Sequence, residues 1–71
     1  MIIMKCDIYQ VYRSLIDYKC NDICTIPKNT LLRIERIDRT TSIALRPEGR
    51  ETYYWIQARE LLNGENFQRV F

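Results

Sequence analysis

The sequence contains no histidine, and it has only two glycines among its 71 residues. Without histidine it lacks the commonest general base, the usual partner of a serine or cysteine nucleophile, and the commonest metal ligand. Gly49 and Gly64 lie in two separate turn-like stretches, so they cannot form a glycine-rich phosphate-binding loop. These absences indicate a protein that is not an enzyme and that holds no cofactor.

Long hydrophobic runs are also missing. The apolar start "MIIM" ends at Lys5 and Asp7, which is too short for a signal peptide or a membrane span. The cysteines number three, an odd count, and no secretion signal accompanies them, which is typical of a reducing compartment. We therefore expect a cytoplasmic protein that does not associate with membranes.

Paired carboxylates are the first of two weak candidates for chemistry. Asp17 with Asp22, or Glu48 with Glu51, could lie close enough for acid–base work. Charged turns commonly place such pairs together without catalysing a reaction, and this is the favoured interpretation.

The cysteines are the second candidate. Cys20 and Cys24 form a C-x3-C pattern, with Cys6 upstream and Asp22 as a conceivable fourth zinc ligand. Cys6 and Cys24 equally suit positions for small buried apolar side chains. We favour the second interpretation and predict no metal site.

Size and charge bound the remaining possibilities. A single domain of 71 residues buries only about 60% of the surface that its unfolded chain exposes. The apolar share of 46% is typical of a folded protein, and we expect one small domain over residues 1–71. The net charge of +2 comes from 11 basic and nine acidic residues that alternate along the chain, a weak basis for binding a polyanion.

Regular turn signals separate short segments of alternating polarity. Residues 30–37, 42–46 and 51–56 predict a three-stranded antiparallel meander, with Pro47 starting a turn in which Gly49 adopts positive φ. Residues 58–62 predict one helical turn, and the alternating tail 67–70 predicts a closing strand.

The segment over residues 7–19 allows two interpretations. Ile8, Val11, Tyr12, Leu15 and Ile16 follow helical spacing, which would give an α+β protein with a helix over 8–18. The same segment is rich in β-branched and aromatic residues, and the preceding "MIIMKCDI" alternates like a strand. We favour the strand and therefore a mainly all-β fold.

The order of these elements resembles the SH3-like small barrels. The stretches that carry the resemblance are "TIPKNTLLRIERID", "YYWI" and "ARELL", with Asn29 at a position where such domains usually have glycine. The resemblance implies a five-stranded barrel with a long irregular loop after the first strand, and with the last strand paired to the first. Barrels of this kind are found among uncharacterised phage and prophage genes, which would place the protein in the host-cell cytoplasm.

Strand alternation divides the aromatic residues of "ETYYWI" between two faces. Tyr53 and Trp55 share one face, and Tyr54 and Ile56 share the other. Because a large apolar side chain is difficult to leave outside a small domain, we predict that Tyr53 and Trp55 pack on the core or its rim. Tyr54 is then the expected surface contact.

Arginine provides eight of the 11 basic residues, and it suits interfaces better than lysine does. A face of solvated ion pairs is one interpretation, and an interface with a partner is the other. The predicted partner-binding residues are Tyr54, Arg33, Arg36, Arg39, Arg46, Arg50, Tyr9 and Tyr12.

These features favour a non-catalytic binding module, a phage-type regulator or inhibitor that binds a host or phage protein. It would be a monomer or self-associate weakly. The alternative is a nucleic-acid-binding barrel, in which tyrosines stack on bases and the arginines of residues 28–50 contact phosphates. The balanced charge makes the protein partner the preferred hypothesis.

Overall fold

The computed structural model describes residues 8–38 and 41–70. In chain order the elements are β1 (Val11–Ser14), β2 (Tyr18–Asn21), β3 (Cys24–Ile26), β4 (Leu31–Asp38), β5 (Ser42–Pro47), β6 (Tyr54–Gln57), α1 (Ala58–Leu62) and β7 (Phe67–Arg69). Five strands form a curled antiparallel sheet, a half-barrel, in the order β6-β5-β4-β1-β7. The predicted mainly all-β fold, with a short helix before the last strand, is confirmed.

The central meander follows the predicted pattern closely. Strands β4 and β5 pair from Leu32 and Pro47 to Asp38 and Ser42, as their alternating polarity predicts. The turn after Pro47 is also as predicted, since the Arg50 amide donates to the Pro47 carbonyl at 3.2 Å and Gly49 has a φ of +79°. The third strand is shorter than predicted, because β6 begins at Tyr54 and not at residue 51.

The first strand is confirmed but divided. Strand β1 pairs with β4 on one side and with β7 on the other, so the last strand does return to the first. The predicted strand over 7–19 is interrupted at residues 15–17, and β2 then leaves the sheet. The alternative helix over 8–18 is wrong, and residues 1–7, with the strand pattern of "MIIMKCDI", lie outside the described part.

The segment predicted as a long irregular loop contains a second piece of sheet. Strands β2 and β3 form a hairpin of their own, separate from the half-barrel. The Asn21 side chain accepts a hydrogen bond at 2.9 Å from the amide of Ile23, which closes the turn. Ile23 at the hairpin tip is 96% exposed. The loop prediction was wrong because a three-residue strand such as β3 is too short for alternation to reveal it.

The core lies on the inner face of the sheet and beneath the helix. Alternate residues of β4 and β5 are fully buried, and α1 contributes two apolar side chains between β6 and β7. The buried cluster consists of Tyr12, Ile26, Leu32, Ile34, Ile43, Leu45, Ile56, Ala58, Leu61 and Phe67. Tyr18 of the hairpin packs on Phe67 with ring centroids 5.0 Å apart, which attaches the hairpin to this core.

Ser14 is a polar exception within the core, and it organises the turn before β4. Its hydroxyl is fully buried, donates to the Pro27 carbonyl at 2.6 Å and accepts from the Thr30 amide at 2.9 Å. The Asn29 amide donates to the Ser14 carbonyl at 2.8 Å. Asn29 has a φ of +67°, so asparagine does adopt the left-handed conformation predicted for this position.

Helix α1 is a single short turn of five residues, at the predicted position. Ala58 and Leu61 are buried, and the chain then passes Gly64, with a φ of +79°, into β7. No helix within residues 8–38 and 41–70 is long and apolar enough to cross a membrane.

Candidate binding surface

The outward side of β4, β5 and β6 carries aromatic and arginine side chains together. We call this surface the outer face. It consists of Tyr9, Arg33, Glu35, Arg36, Ala44, Arg46, Tyr53 and Trp55. Three of its aromatic rings are more than half exposed, namely those of Tyr9 (66%), Tyr53 (53%) and Trp55 (52%). Among the described residues, only three other large hydrophobic side chains are exposed, and all three are aliphatic.

A β-bulge in β4 determines which charges reach the outer face. Ile34 pairs with Leu45 and Arg36 pairs with Ala44, so Glu35 is an extra residue on β4. The extra residue shifts the alternation, and Arg36 therefore points outward while Ile37 packs against the core. Without the bulge, strict alternation would turn Arg36 inward. The bulge thus brings Glu35 and Arg36 to the same side as Arg33.

Arg33, Glu35 and Arg46 form a network of ion pairs at the centre of the outer face. Arg33 Nε donates to Glu35 Oε2 at 2.7 Å, and Arg46 Nε lies 3.2 Å from Glu35 Oε1. Arg33 and Arg46 are cross-strand neighbours, and only 16% of the Glu35 side chain is exposed between them. The hydrogen bond from Arg33 lowers the pKa of the Glu35 carboxyl below its usual value, and the charge of Arg46 adds to this effect.

Tyr9 holds Arg33 from the other side. Its amide donates to the Ile34 carbonyl at 2.7 Å, which places the residue beside β4 with a φ of +72°. The Arg33 guanidinium lies 5.3 Å from the centre of the Tyr9 ring, within the range of a cation–π contact. Arg33 is therefore fixed between an aromatic ring and a carboxylate, as the preorganised side chains of interfaces are.

The predicted assignment of the aromatic faces in β6 is wrong. Tyr54 pairs with buried Leu45, so it points inward, is half-buried and packs against the core. Trp55 pairs with Ala44 and points outward, as does Tyr53. Alternation separated the two pairs correctly, but residue size was the wrong criterion for choosing the inner one. The inner face is already filled by aliphatic side chains, and Ile56 completes it.

The remaining predicted contacts fall in several places. Tyr12 is 3% exposed and pairs with Leu32, so it is a core residue and cannot be the predicted surface contact. Arg50 is exposed, and its carbonyl accepts from Arg46 Nη1 at 3.3 Å. Arg39 lies outside the described residues. The structure thus brings together Tyr9, Arg33, Arg36 and Arg46 of the predicted set.

Two shallow depressions lie on either side of the ion-paired centre. One has a volume of about 180 Å³ and is lined by Glu35, Arg36, Ala44, Tyr53 and Trp55. The other, of about 250 Å³, lies toward the turn after β5 and is lined by Val11, Leu31, Leu32, Arg33, Arg46, Pro47, Glu48 and Gly49. Both are open hollows that suit single side chains of a partner more than an enclosed small molecule.

The cysteines lie on the hairpin, on the other side of β6 from the outer face. Cys20 and Cys24 are half-buried, and it is Cys20 that packs against the core, whereas the sequence predicted that role for Cys24. Burial and the neighbouring Cys24 raise the pKa of the Cys20 thiol to about 11. Burial also raises the pKa of Tyr54, whose hydroxyl is near Cys24. Within the described ranges no three potential metal ligands lie together, and Cys6 falls outside those ranges.

Sequence reasoning missed Trp55, Tyr53 and Glu35 as parts of the surface. Gln57 could have indicated the correct face. It lies on the same side of the strand as Tyr53 and Trp55, and a polar residue there marks that side as solvent-facing. Ala58 continues the alternation of Tyr54 and Ile56 into the buried side of α1. The bulge had no comparable signal, since no glycine or proline accompanies it.

No protein family, curated protein or solved structure matches this sequence or its fold.

Proposed function

We propose that the protein is a non-catalytic binding module that recognises another protein through its outer face. The observation that carries this proposal is the exposure of Tyr9, Tyr53 and Trp55 on the side that presents Arg33 and Arg46. Tyrosine, tryptophan and arginine are the residues most enriched at binding hot spots. Two of the three rings flank a hollow, and the central arginines are already oriented by ion pairing.

The resemblance to phage and prophage barrels favours a regulator or inhibitor of a host or phage protein that works in the host cytoplasm. The sequence supports a role without catalysis, because it has no histidine to act as a base at neutral pH. A monomer or weakly self-associating form agrees with this role, since the outer face is then available to a different protein.

Binding of single-stranded nucleic acid is the second candidate. The observation in its favour is the same combination of exposed aromatic rings with arginines, because bases stack on such rings while arginines contact phosphates. Against it, Arg33 and Arg46 share the carboxylate of Glu35, which reduces the charge that could neutralise phosphates.

Affinity capture from a lysate of the encoding organism and its host tests the proposal. The bait proteins are the wild type, the double variant Tyr53→Ser/Trp55→Ser, and the control Ile23→Ser, which removes an exposed apolar side chain from the hairpin tip. Nuclease treatment of the lysate removes indirect capture through nucleic acid. We expect a protein that the wild type and the control retain and the double variant loses.

Two results would contradict the proposal: no protein retained above background, or equal retention by the double variant. Titration with labelled single- and double-stranded DNA and RNA, at low and at moderate salt, distinguishes the second candidate. Binding that weakens steeply with salt and needs Trp55 would support nucleic acid as the ligand. Sedimentation over a range of protein concentrations checks the expected monomer.

A further inference from the structure

We infer that the outer face binds an acidic, extended segment of its partner, with an apolar side chain in the hollow beside Trp55 and a carboxylate on Arg36; this rests on the proposed function. The chemistry of this partner segment follows from the shape and charge of the hollow.

The hollow is formed by one row of residues across three strands. Arg36 of β4 pairs with Ala44 of β5, and Ala44 pairs with Trp55 of β6. Because neighbouring strands are about 4.8 Å apart, the backbones of Arg36 and Trp55 are separated by about 10 Å. Ala44 between them is the smallest side chain of the row, so a space of about 180 Å³ remains above it.

The walls of the hollow are apolar on one side and charged on the other. Tyr53 and Trp55 supply aromatic surface, and the methyl group of Ala44 forms the floor. Such a space suits one aliphatic or aromatic side chain, which would cover the exposed part of the Trp55 ring. Arg36 and Glu35 line the opposite rim. An occupant must therefore combine an apolar group with a polar group a short distance away.

The charge of the rim favours an anionic partner group. Glu35 is already shared by Arg33 and Arg46, so its charge is satisfied from two sides. Arg36 has no ion pair or side-chain hydrogen bond among the described residues, and it is exposed. Its guanidinium can take a carboxylate in a two-pronged hydrogen bond. A basic partner group at this rim would instead meet Arg36 and a single carboxylate that is already paired with Arg33 and Arg46.

A protein segment fits these features better than a nucleic acid strand does. A strand of nucleic acid gains most of its affinity by neutralising several phosphates in a row, and Arg36 is the only unpaired arginine lining this hollow. An acidic peptide needs fewer charges, because its apolar side chain supplies part of the affinity. The net charge of +2 on the whole chain also favours an acidic partner.

Trp55 is the only tryptophan of the chain, so its fluorescence reports directly on the hollow. The probes are three decapeptides that share the same alternating leucine and phenylalanine residues and differ in the intervening ones, which are all glutamate, all glutamine or all lysine. A ten-residue oligothymidylate is the fourth probe. We expect the glutamate peptide to shift the Trp55 emission to shorter wavelength, and to bind at least tenfold more tightly than the glutamine and lysine peptides.

Two arginine variants with equal change in total charge provide the control. Arg36→Gln removes the proposed carboxylate contact, and Arg59→Gln removes an exposed arginine of α1. Affinity for the glutamate peptide should fall about tenfold in Arg36→Gln and remain within about twofold in Arg59→Gln, since a two-pronged charged hydrogen bond accounts for roughly that factor. Circular dichroism verifies that both variants are folded.

Each other result overturns the inference. Equal affinity for the three peptides, equal loss in the two arginine variants, or no peptide binding would show that the partner is not an acidic segment on Arg36. If capture of a lysate protein still depends on Tyr53 and Trp55 in those cases, the proposed function stands without the inference. If only the oligothymidylate changes the Trp55 emission, both the inference and the protein-binding proposal fail.

Discussion

Strands β4, β5 and β6 present two faces that differ in composition and in exposure to solvent. The inner face is mostly aliphatic and mostly buried, whereas the outer face combines exposed aromatic rings with ion-paired arginines. A domain this small has little apolar surface to spare for anything but its core. That three large rings nevertheless lie outside is the main reason to regard the outer face as a binding surface.

The largest expected effect comes from the centre of the inner face. Leu45 is fully buried, and its replacement by alanine removes apolar contacts and leaves a cavity. Leu45→Ala should lower the free energy of unfolding by about 2–5 kcal/mol, which is a large part of the stability of a small domain. Arg46→Ala, the next residue on the outer side, should cost less than about 1 kcal/mol. Urea denaturation measures both, and equal losses would remove the distinction between the faces.

Two neighbouring aromatic residues test the same distinction within one strand. Tyr54 packs against the core, and Trp55 is 52% exposed. We expect Tyr54→Ala to cost about 2–3 kcal/mol of unfolding free energy and Trp55→Ala about 1 kcal/mol, although tryptophan is the larger residue. The comparison requires thermal and urea denaturation of both variants. A greater loss from Trp55→Ala would mean that the ring contributes to the core, as the sequence had suggested.

Much of the fold could be predicted, because β4, β5, α1 and β7 each have a local signal. Alternation predicted the strands, and Gly49 and Asn29 marked two of the four described positions of positive φ. The face assignment could not follow from local pattern alone, since both Tyr53–Trp55 and Tyr54–Ile56 are apolar pairs. It depends on pairing with β5, because Tyr54 pairs with Leu45 of the core cluster, whereas Trp55 pairs with Ala44 on the opposite face.

The candidate site was predicted only in part. Tyr9, Arg33 and Arg46 were selected by residue type and lie together, while Tyr12 shares the type but pairs with Leu32 in the core. The bulge at Glu35 decides the position of Arg36, and it arises from the pairing of two strands. Such long-range pairing leaves no signature in the residues of either strand.

Ser14 is the polar residue that most clearly belongs to the inner side. Replacing it by alanine would leave the Thr30 amide without its partner and would remove the bond to the Pro27 carbonyl. We expect Ser14→Ala to lower the unfolding free energy by about 1–3 kcal/mol, the cost of leaving the Thr30 amide unsatisfied, while the Pro27 carbonyl still accepts from Thr30 Oγ1. Hydrogen exchange of the Thr30 amide should accelerate by more than the global loss of stability explains. Thr25→Ala on the exposed side of β3 serves as the control, with little change in either measurement.

The smallest expected effect concerns Glu35 and depends on pH. Its pKa in the folded protein lies below its usual value of 4.5, chiefly because Arg33 donates a hydrogen bond to the charged form. The ionised carboxylate therefore stabilises the folded state fully above about pH 4.5, and this contribution disappears as the pH falls through the lowered pKa. Glu35→Gln should consequently be slightly less stable than the wild type at pH 7, and the difference should shrink as the pH falls from 4.5 toward 2. Because the pair is at the surface, 1 M salt should reduce the difference at pH 7.

Thermal denaturation of the wild type and Glu35→Gln over this pH range measures the difference in stability. Glu51→Gln, which changes an exposed carboxylate before β6, is the matched control. A difference that persists unchanged at pH 2 would mean that Glu35 acts through packing between Arg33 and Arg46, and that the ion-paired centre of the outer face is held by shape and not by charge.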